Sequence, residues 1–323
     1  MATERSGFPE LLKKTSYQYY FEEYDRHDTV YDKLFTVKPS DSAWEQQTTS
    51  LRAGKLSEVK EGSEILASNP LEGFTVYGKN RKYGDSIELT LELVEDTPTE
   101  KIMNIVQDIA KGWGEGVVIS KEEFAATFFN KGGFTAGYDS FNNTITGNVT
   151  DPTGALCYDG KPFFNLSNNT RSSKAGGTYY NGLALALSSA NLQTAYNLMT
   201  NTNNRNERDE VVAIKPSVLV IPPALRFTAK NILEADNVVG SANNDINVTK
   251  NLVTPVEWHY LSDSDAWFLG VPQKGLVWLE RKQPVIDAYQ DEKTKNYYVT
   301  IYARWGAMMT NWRYWVGSNF STS

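Results

Sequence analysis

The stretch from Thr97 to Trp113 constrains this chain more than any other. Thr97 is placed to cap a helix, Pro98 to be its first residue and Glu100 to close a capping box on Thr97. Ile102, Ile105, Val106, Ile109, Ala110 and Trp113 then recur at helical spacing, giving one apolar face over about five turns at 3.6 residues per turn. Just before it, Ile87, Leu89, Leu91 and Leu93 alternate with Glu88, Thr90 and Glu92, which predicts a long strand buried on one face. Gly112, Gly114 and Gly116 are expected to close the helix. A second box at Ser120-Lys121-Glu122-Glu123 predicts another helix carrying Phe124 and Phe128, stopped by Gly132-Gly133.

Around this centre the chain reads as β-rich and discontinuous. Phe74 to Tyr77, Gly78-Lys79-Asn80 and Tyr83-Gly84 predict a hairpin leading into the long strand, with the basic tetrad Lys79-Asn80-Arg81-Lys82 at its tip. Residues 133 to 182 are dominated by Gly, Asn, Thr and Ser and predict turns and short strands. Leu183 to Met199 predicts a second long helix. The run Ile214 to Ile221 predicts a buried strand, and Pro222-Pro223 after it a helix ending near Leu233. Short strands are expected around Pro255 to Trp258, Trp267 to Leu269 and Leu276 to Leu279, then two more, Tyr297 to Arg304 and Met308 to Tyr314, joined across Trp305-Gly306. No internal repeat or heptad run occurs.

Two segments have little apolar anchoring of their own. Near the start, Tyr17, Tyr19, Tyr20, Phe21, Tyr24 and Tyr31 sit among acids with no sustained period, too apolar for a solvated tail. They predict an arm that gains order by packing on something else, with a short helix on the chain's own core as the alternative. Leu51 to Glu64 carries Arg52, Lys55, Glu58, Lys60, Glu61 and Glu64 with two glycines and predicts an exposed projection.

Composition excludes several chemistries. A lone Cys157 makes no intrachain disulfide, and His27 and His259 with it cannot assemble a His/Cys metal cage. Neither histidine adjoins a nucleophile elbow. Glu22-Glu23, Glu95-Asp96 and Glu122-Glu123 read as solvated faces or helix-start charges. The loop Gly112-Trp113-Gly114-Glu115-Gly116 follows a helix rather than a strand, so it is no phosphate cradle. The six Asn-x-Ser/Thr triplets, at Asn142, Asn148, Asn165, Asn168, Asn247 and Asn319, read as turn composition. No run approaches the ~20 apolar residues of a membrane span, and MATERSGFPELLKK lacks a signal-peptide pattern, which predicts an unexported protein. The net charge of −7 argues against gripping phosphate backbones. It is concentrated in residues 1–130, with 15 Lys and Arg against 23 Asp and Glu.

The run Lys215-Pro216-Ser217-Val218-Leu219-Val220-Ile221-Pro222-Pro223-Ala224-Leu225, with Ala229 and Ile232-Leu233 after it, is similar to the major capsid proteins of tailed bacteriophages, most of all the Mu-like major head subunits. Thr254-Pro255-Val256, Asp265-Ala266-Trp267-Phe268-Leu269 and Tyr302-Ala303-Arg304-Trp305-Gly306 extend the resemblance, which covers about residues 180 to 320 and before that rests on element order. It implies an α+β HK97-type capsid fold: an N-terminal arm over residues 1–49, an extended loop over 50–96, a spine helix and peripheral domain over 97–180, an axial domain over 181–280, and peripheral C-terminal strands over 281–323. It implies a structural, non-enzymatic subunit without cofactor or metal, self-assembling through pentamers and hexamers into an icosahedral shell around double-stranded DNA, without sequence-specific binding and without a membrane.

The implied partners are further copies, a separate scaffolding protein, a portal and decoration proteins; a long charged scaffolding segment of the kind some family members carry is not found ahead of the shell-like sequence. The implied location is the virion capsid, after synthesis in the host bacterial cytoplasm. Covalent Lys to Asn cross-linking, known in some relatives, maps onto no particular residues here. Tyr17, Tyr19, Tyr20, Phe21, Tyr24, Arg52, Lys55, Glu58, Lys60, Glu61 and Glu64 become the expected intersubunit contacts, and the acidic first 130 residues are expected to face a DNA-filled lumen. The alternatives are an encapsulin-like nanocompartment shell and, more distantly, a carboxylate-dependent hydrolase.

Overall fold

A computed structural model describes residues 7–51, 56, 58–62, 64, 71–134, 137–138, 144–145, 157, 159–203, 205–238 and 245–322. Helix α1 (Phe8–Tyr24) and the single turn α2 (Tyr31–Leu34) precede strands β1 (Thr36–Pro39), β2 (Trp44–Leu51), β3 (Leu71–Lys79) and β4 (Arg81–Leu89). Short α3 (Leu91–Asp96) and long α4 (Thr99–Asn130) follow. Five two-residue strands come next: β5 (Gly137–Tyr138), β6 (Thr144–Ile145), β7 (Arg171–Ser172), β8 (Thr178–Tyr179) and β9 (Gly182–Leu183). The remainder comprises α5 (Ser189–Asn197), β10 (Val218–Ile221), α6 (Arg226–Leu233), β11 (Thr254–Glu257), β12 (Trp267–Gly270), β13 (Leu276–Gln290), β14 (Tyr297–Met309) and β15 (Trp315–Ser318).

Two sheets organise these elements. One is four-stranded in the order β1-β13-β14-β4, with β1 parallel to β13 and the rest antiparallel. The other is five-stranded in the order β11-β10-β12-β15-β9. Helices α1 and α4 cover one face of the first sheet, where Leu12, Tyr20, Ile102, Val106 and Trp113 meet Leu89, Ile286, Val299 and Ile301. Helices α5 and α6 cover one face of the second through Leu192, Ala195, Ala229 and Leu233. The far half of α4 joins the sheets: the Phe124 ring lies 5.6 Å from Trp278, and Phe129 lies 5.1 Å from Phe268 and 5.2 Å from Trp315.

Several expectations change. The two helices read around Gly112 to Gly116 are one helix of 32 residues, starting at Thr99 with Pro98 as its cap and no side-chain capping bond. Glycine costs about 1 kcal/mol each inside a helix, and the apolar stripes on both sides of the interruption offset that. At Gly114 the residue type is required, because a Cβ would come within 2.9 Å of the Tyr20 carbonyl oxygen and 3.0 Å of Glu23 Cβ. Gly114→Val is therefore expected to force α1 away from α4 and cost about 1–3 kcal/mol, read as a lower denaturation midpoint at unchanged m-value. Ser120 caps nothing; mid-helix, its hydroxyl donates to the Gly116 carbonyl at 2.8 Å.

The long strand also ends early. Thr90 accepts from the Leu93 amide at 3.3 Å and turns Leu91–Asp96 into a helix. Beyond it, Leu183 belongs to a strand, and the second long helix shrinks to Ser189–Asn197 with a π-helical turn at Leu198–Thr202. The first closing strand continues through Trp305-Gly306 and ends at Met309 as β14. The second, expected over Met308 to Tyr314, does not form, because Trp312–Tyr314 make a 3-10 turn, and the chain then returns to the second sheet as β15, paired with β12 and β9. The last strand thus hydrogen-bonds into the sheet that the resemblance assigned to the axial unit. All six tryptophans after residue 257 are buried, so that aromatic inventory is spent on the chain's own core.

Candidate functional site

Residues 8–24 are not an arm that takes its order from a neighbour. They form a helix seated on the chain's own sheet, the alternative weighed above. Tyr20 is only 1% exposed, so this ring is not available to a neighbour. The Tyr17 hydroxyl accepts from the Ile286 amide at 3.0 Å, and Lys13 pairs with Asp287 at 2.8 Å. Tyr24 stacks on Tyr20, with ring centroids 5.7 Å apart, beneath the Lys121 ammonium, and Tyr19 lies beneath the Lys111 ammonium. Among the five aromatics named as intersubunit contacts, Phe21 keeps an exposed ring.

The projection behaves differently. Strands β2 and β3 pair antiparallel from Trp44 opposite Lys79 out to Leu51 opposite Leu71. Their root is fastened to the four-stranded sheet. Val76 packs with Val277, Leu279 and Met308, and a Cβ on Gly306 would run into the Lys79 carbonyl. Asn80 is buried there, its amide donating to Ser40 Oγ at 2.6 Å and to the Ser42 carbonyl at 2.8 Å, while Ser40 donates to Glu45 at 2.7 Å. The Ser40 hydroxyl and the Ser42 amide hold the Glu45 carboxyl below the usual carboxylate range. Lys79 covers the Trp44 ring at 4.7 Å. The basic tetrad therefore marks the crossing from the hairpin root to β4 rather than a tip.

In the segment that joins β2 to β3, the described residues are all exposed. Leu56 is 95% exposed, and Glu58, Lys60, Glu61 and Glu64 are exposed without an ion pair to another described residue. Arg52 and Lys55 lie outside the described residues. A rooted two-stranded hairpin whose described far-end residues are exposed and charged offers a surface for binding.

The buried charges are structural. Lys121 pairs with Glu280 at 3.1 Å, and Glu280 also accepts from Trp278 Nε1 at 2.9 Å. Glu122, read above as solvated, is buried and accepts from the Val30 and Tyr31 amides at 2.6 and 3.1 Å and from Trp258 Nε1 at 2.6 Å. It caps the first turn of α2 from another element. Burial pushes its carboxyl up, against the pull of those three donors. Arg313 and Glu207 pair at 2.5 Å in a second buried bridge. Asn165 and Asn247 are buried amides; the latter donates to the Ile232 and Ala235 carbonyls. Among the described residues no group of three or more His, Cys, Asp and Glu is arranged to hold a metal, and no described helix is long and apolar enough to cross a membrane.

A family model described as phage capsid protein matches residues 74–318, a span that holds most of β3, all of α4, three of the four strands of the first sheet and the whole of the second. The chain belongs to the phage capsid protein family. Solved structures agree on the fold of this capsid protein. The capsid of cyanophage P-SCSP1u is 8% identical, with 92% of this chain and 89% of that one covered and a TM-score of 0.51. Gordonia phage Cozz gives 12% identity, 92% and 87% coverage and 0.51. The mature capsid of bacteriophage PhiM1 gives 10%, 92% and 88%, and 0.51. No curated protein matches by sequence. The capsid protein has the α+β HK97-type fold, with α4 as its long helix.

Proposed function

We propose that this capsid protein is the major shell subunit of a tailed-phage head, with a structural and not an enzymatic role. Copies associate through pentamers and hexamers into an icosahedral shell around double-stranded DNA, in the virion, after synthesis in the host bacterial cytoplasm. The observation that carries this reading is the β2–β3 hairpin, fastened at its root and exposed in the described residues of its far end, in a chain whose residues 74–318 match the phage capsid family. Such a hairpin gains cover by lying across an adjacent subunit, and closed symmetry then sums many modest contacts.

Within this reading the first sheet with α1 and α4 forms the peripheral unit, and residues 181–275 with β15 form the axial unit around capsomer centres, since Leu276 already opens β13 of the first sheet. Phe21 and the hairpin residues Arg52, Lys55, Glu58, Lys60, Glu61 and Glu64 contact neighbours. A separate scaffolding protein, a portal and decoration proteins complete the particle, and the segments at 215–225 and 265–269 favour the Mu-like subgroup. The family match favours a phage shell over a nanocompartment. Electron microscopy of the purified chain, concentrated with its scaffold, is expected to show shells or capsomers. A strictly monomeric species under every assembly condition would overturn the reading.

A further inference from the structure

The outer face of the four-stranded sheet, away from α1 and α4, carries an arrangement that a lone subunit has no use for. Lys82 on β4 stands directly opposite Arg304 on β14, and Arg304 directly opposite Lys282 on β13. Directly opposed residues project to the same face, so three cations stand in one row across adjacent strands. Strands lie about 4.8 Å apart, so the row spans roughly 10 Å. Like charges in this position repel.

Among the described residues, nothing on the surrounding strands forms an ion pair with them. The neighbouring carboxylates on this face are engaged: Asp287 with Lys13, and Glu88 with Tyr298 and Asn296. Beside the row, Glu45 lies in the field of Arg281. Lys82 and Lys282 rest instead on the two sides of Tyr302, 5.2 and 4.4 Å from the ring, with Lys282 also donating to its hydroxyl. Arg304 Nε is shut off from solvent without an acceptor.

The row sits beside the hairpin root, because Lys82 is three residues past Lys79, where β3 ends. The uncompensated carboxylates of the same chain, Glu58, Glu61 and Glu64, lie in the segment that joins the other ends of β2 and β3. Nine residues of β3 at about 3.4 Å each put that end about 30 Å from the root. In the single chain the two groups do not meet.

We infer that Lys82, Lys282 and Arg304 form the receptor for the acidic hairpin end of a second copy. This rests on the shell reading above and adds to it the place where the hairpin lands. Charge complementarity selects the occupant: three cations in a row about 10 Å long face three carboxylates spaced three residues apart within residues 56–64, where Lys60 is the one cation, while Arg52 and Lys55 precede that stretch in the sequence. A contact between one copy's hairpin end and the next copy's hairpin root is heterologous, the kind that propagates around a ring until it closes.

Three variants test this, each co-expressed with the scaffold and scored for shell yield by sedimentation and electron microscopy. The receptor reversal is Lys82→Glu with Lys282→Glu and Arg304→Glu; the hairpin reversal is Glu58→Lys with Glu61→Lys and Glu64→Lys. Each alone is expected to lower shell yield at least about tenfold, since like charges then meet at every contact. The six-residue exchange, carrying both reversals, is expected to restore shells. Circular dichroism melts of the unassembled subunits separate lost contact from lost folding, and where the receptor reversal fails to fold, Lys82→Gln with Lys282→Gln and Arg304→Gln replaces it with the same expectation.

Wild-type yield from a folded receptor reversal, or no rescue by a folded exchange, overturns the inference while the shell reading stands. Absence of shells from the wild-type chain strikes the shell reading itself. Normal shells from the receptor reversal that hold less DNA would assign the row to nucleic acid and also overturn the inference.

Discussion

Removal of residues 1–24 is expected to yield a chain that fails to fold cooperatively, not a stable subunit that merely assembles poorly. As a detachable arm this segment would be dispensable for folding. As α1 it inserts Leu12, Ser16 and Tyr20 against α4, all at 1% exposure or less, and sets Phe8 edge-on to Tyr297 at 5.1 Å. It also covers Ile102, Val106, Trp113, Val299 and Ile301. Losing one large buried side chain costs about 2–5 kcal/mol, so losing Leu12 and Tyr20 together approaches the whole of a typical fold's stability, about 5–15 kcal/mol. Far-ultraviolet melts and dye binding to exposed apolar surface check this. A truncated subunit melting like the full chain would show that α1 contributes no stability.

Lys121→Met is expected to cost about 3–5 kcal/mol and to lower Tm by roughly 10 °C. Lys121 is 4% exposed and Glu280 16%, so the pair is largely out of water. Its attraction does little more than offset the desolvation of two charges, but removal of one partner leaves the other stranded. The Trp278 indole would be the remaining donor to Glu280, and the Tyr24, Tyr31 and Trp305 rings around the ammonium, each within 5.8 Å of it, would lose a cation. The double variant Lys121→Met with Glu280→Gln is expected to recover most of the loss, because the amide oxygen of the substituted side chain still accepts from the indole without carrying a charge. A double variant as unstable as the single one would show that the loss is one of packing.

Much of the second sheet was legible because its strands are short apolar runs with punctuation. Val218–Ile221 stops at Pro222-Pro223, α6 ends at Leu233 as read, and the runs at Thr254–Glu257 and Trp267–Gly270 fall within a residue or two of expectation. Local signals failed where distant partners decide. Glycines that would end an isolated helix sit inside α4 because α1 packs against it, and Glu122 looks solvated until Val30, Tyr31 and Trp258 surround it. The exposed projection was visible as a charged, glycine-bearing stretch. The Lys82, Arg304 and Lys282 row was not, because its first member lies about 200 residues from the other two and only strand register unites them.

The parallel pairing of β1 with β13 bears on the timing of synthesis. Thr36 to Pro39 wait for Val277 to Glu280, and β4 waits for β14, which ends at Met309. The platform that anchors the hairpin therefore exists only once the chain has been made as far as Met309. Contacts of such long sequence separation form late, so a nascent chain cannot present its hairpin root to neighbours emerging on the same messenger. A hairpin root that needs β13 and β14 is thereby denied to any shorter nascent chain.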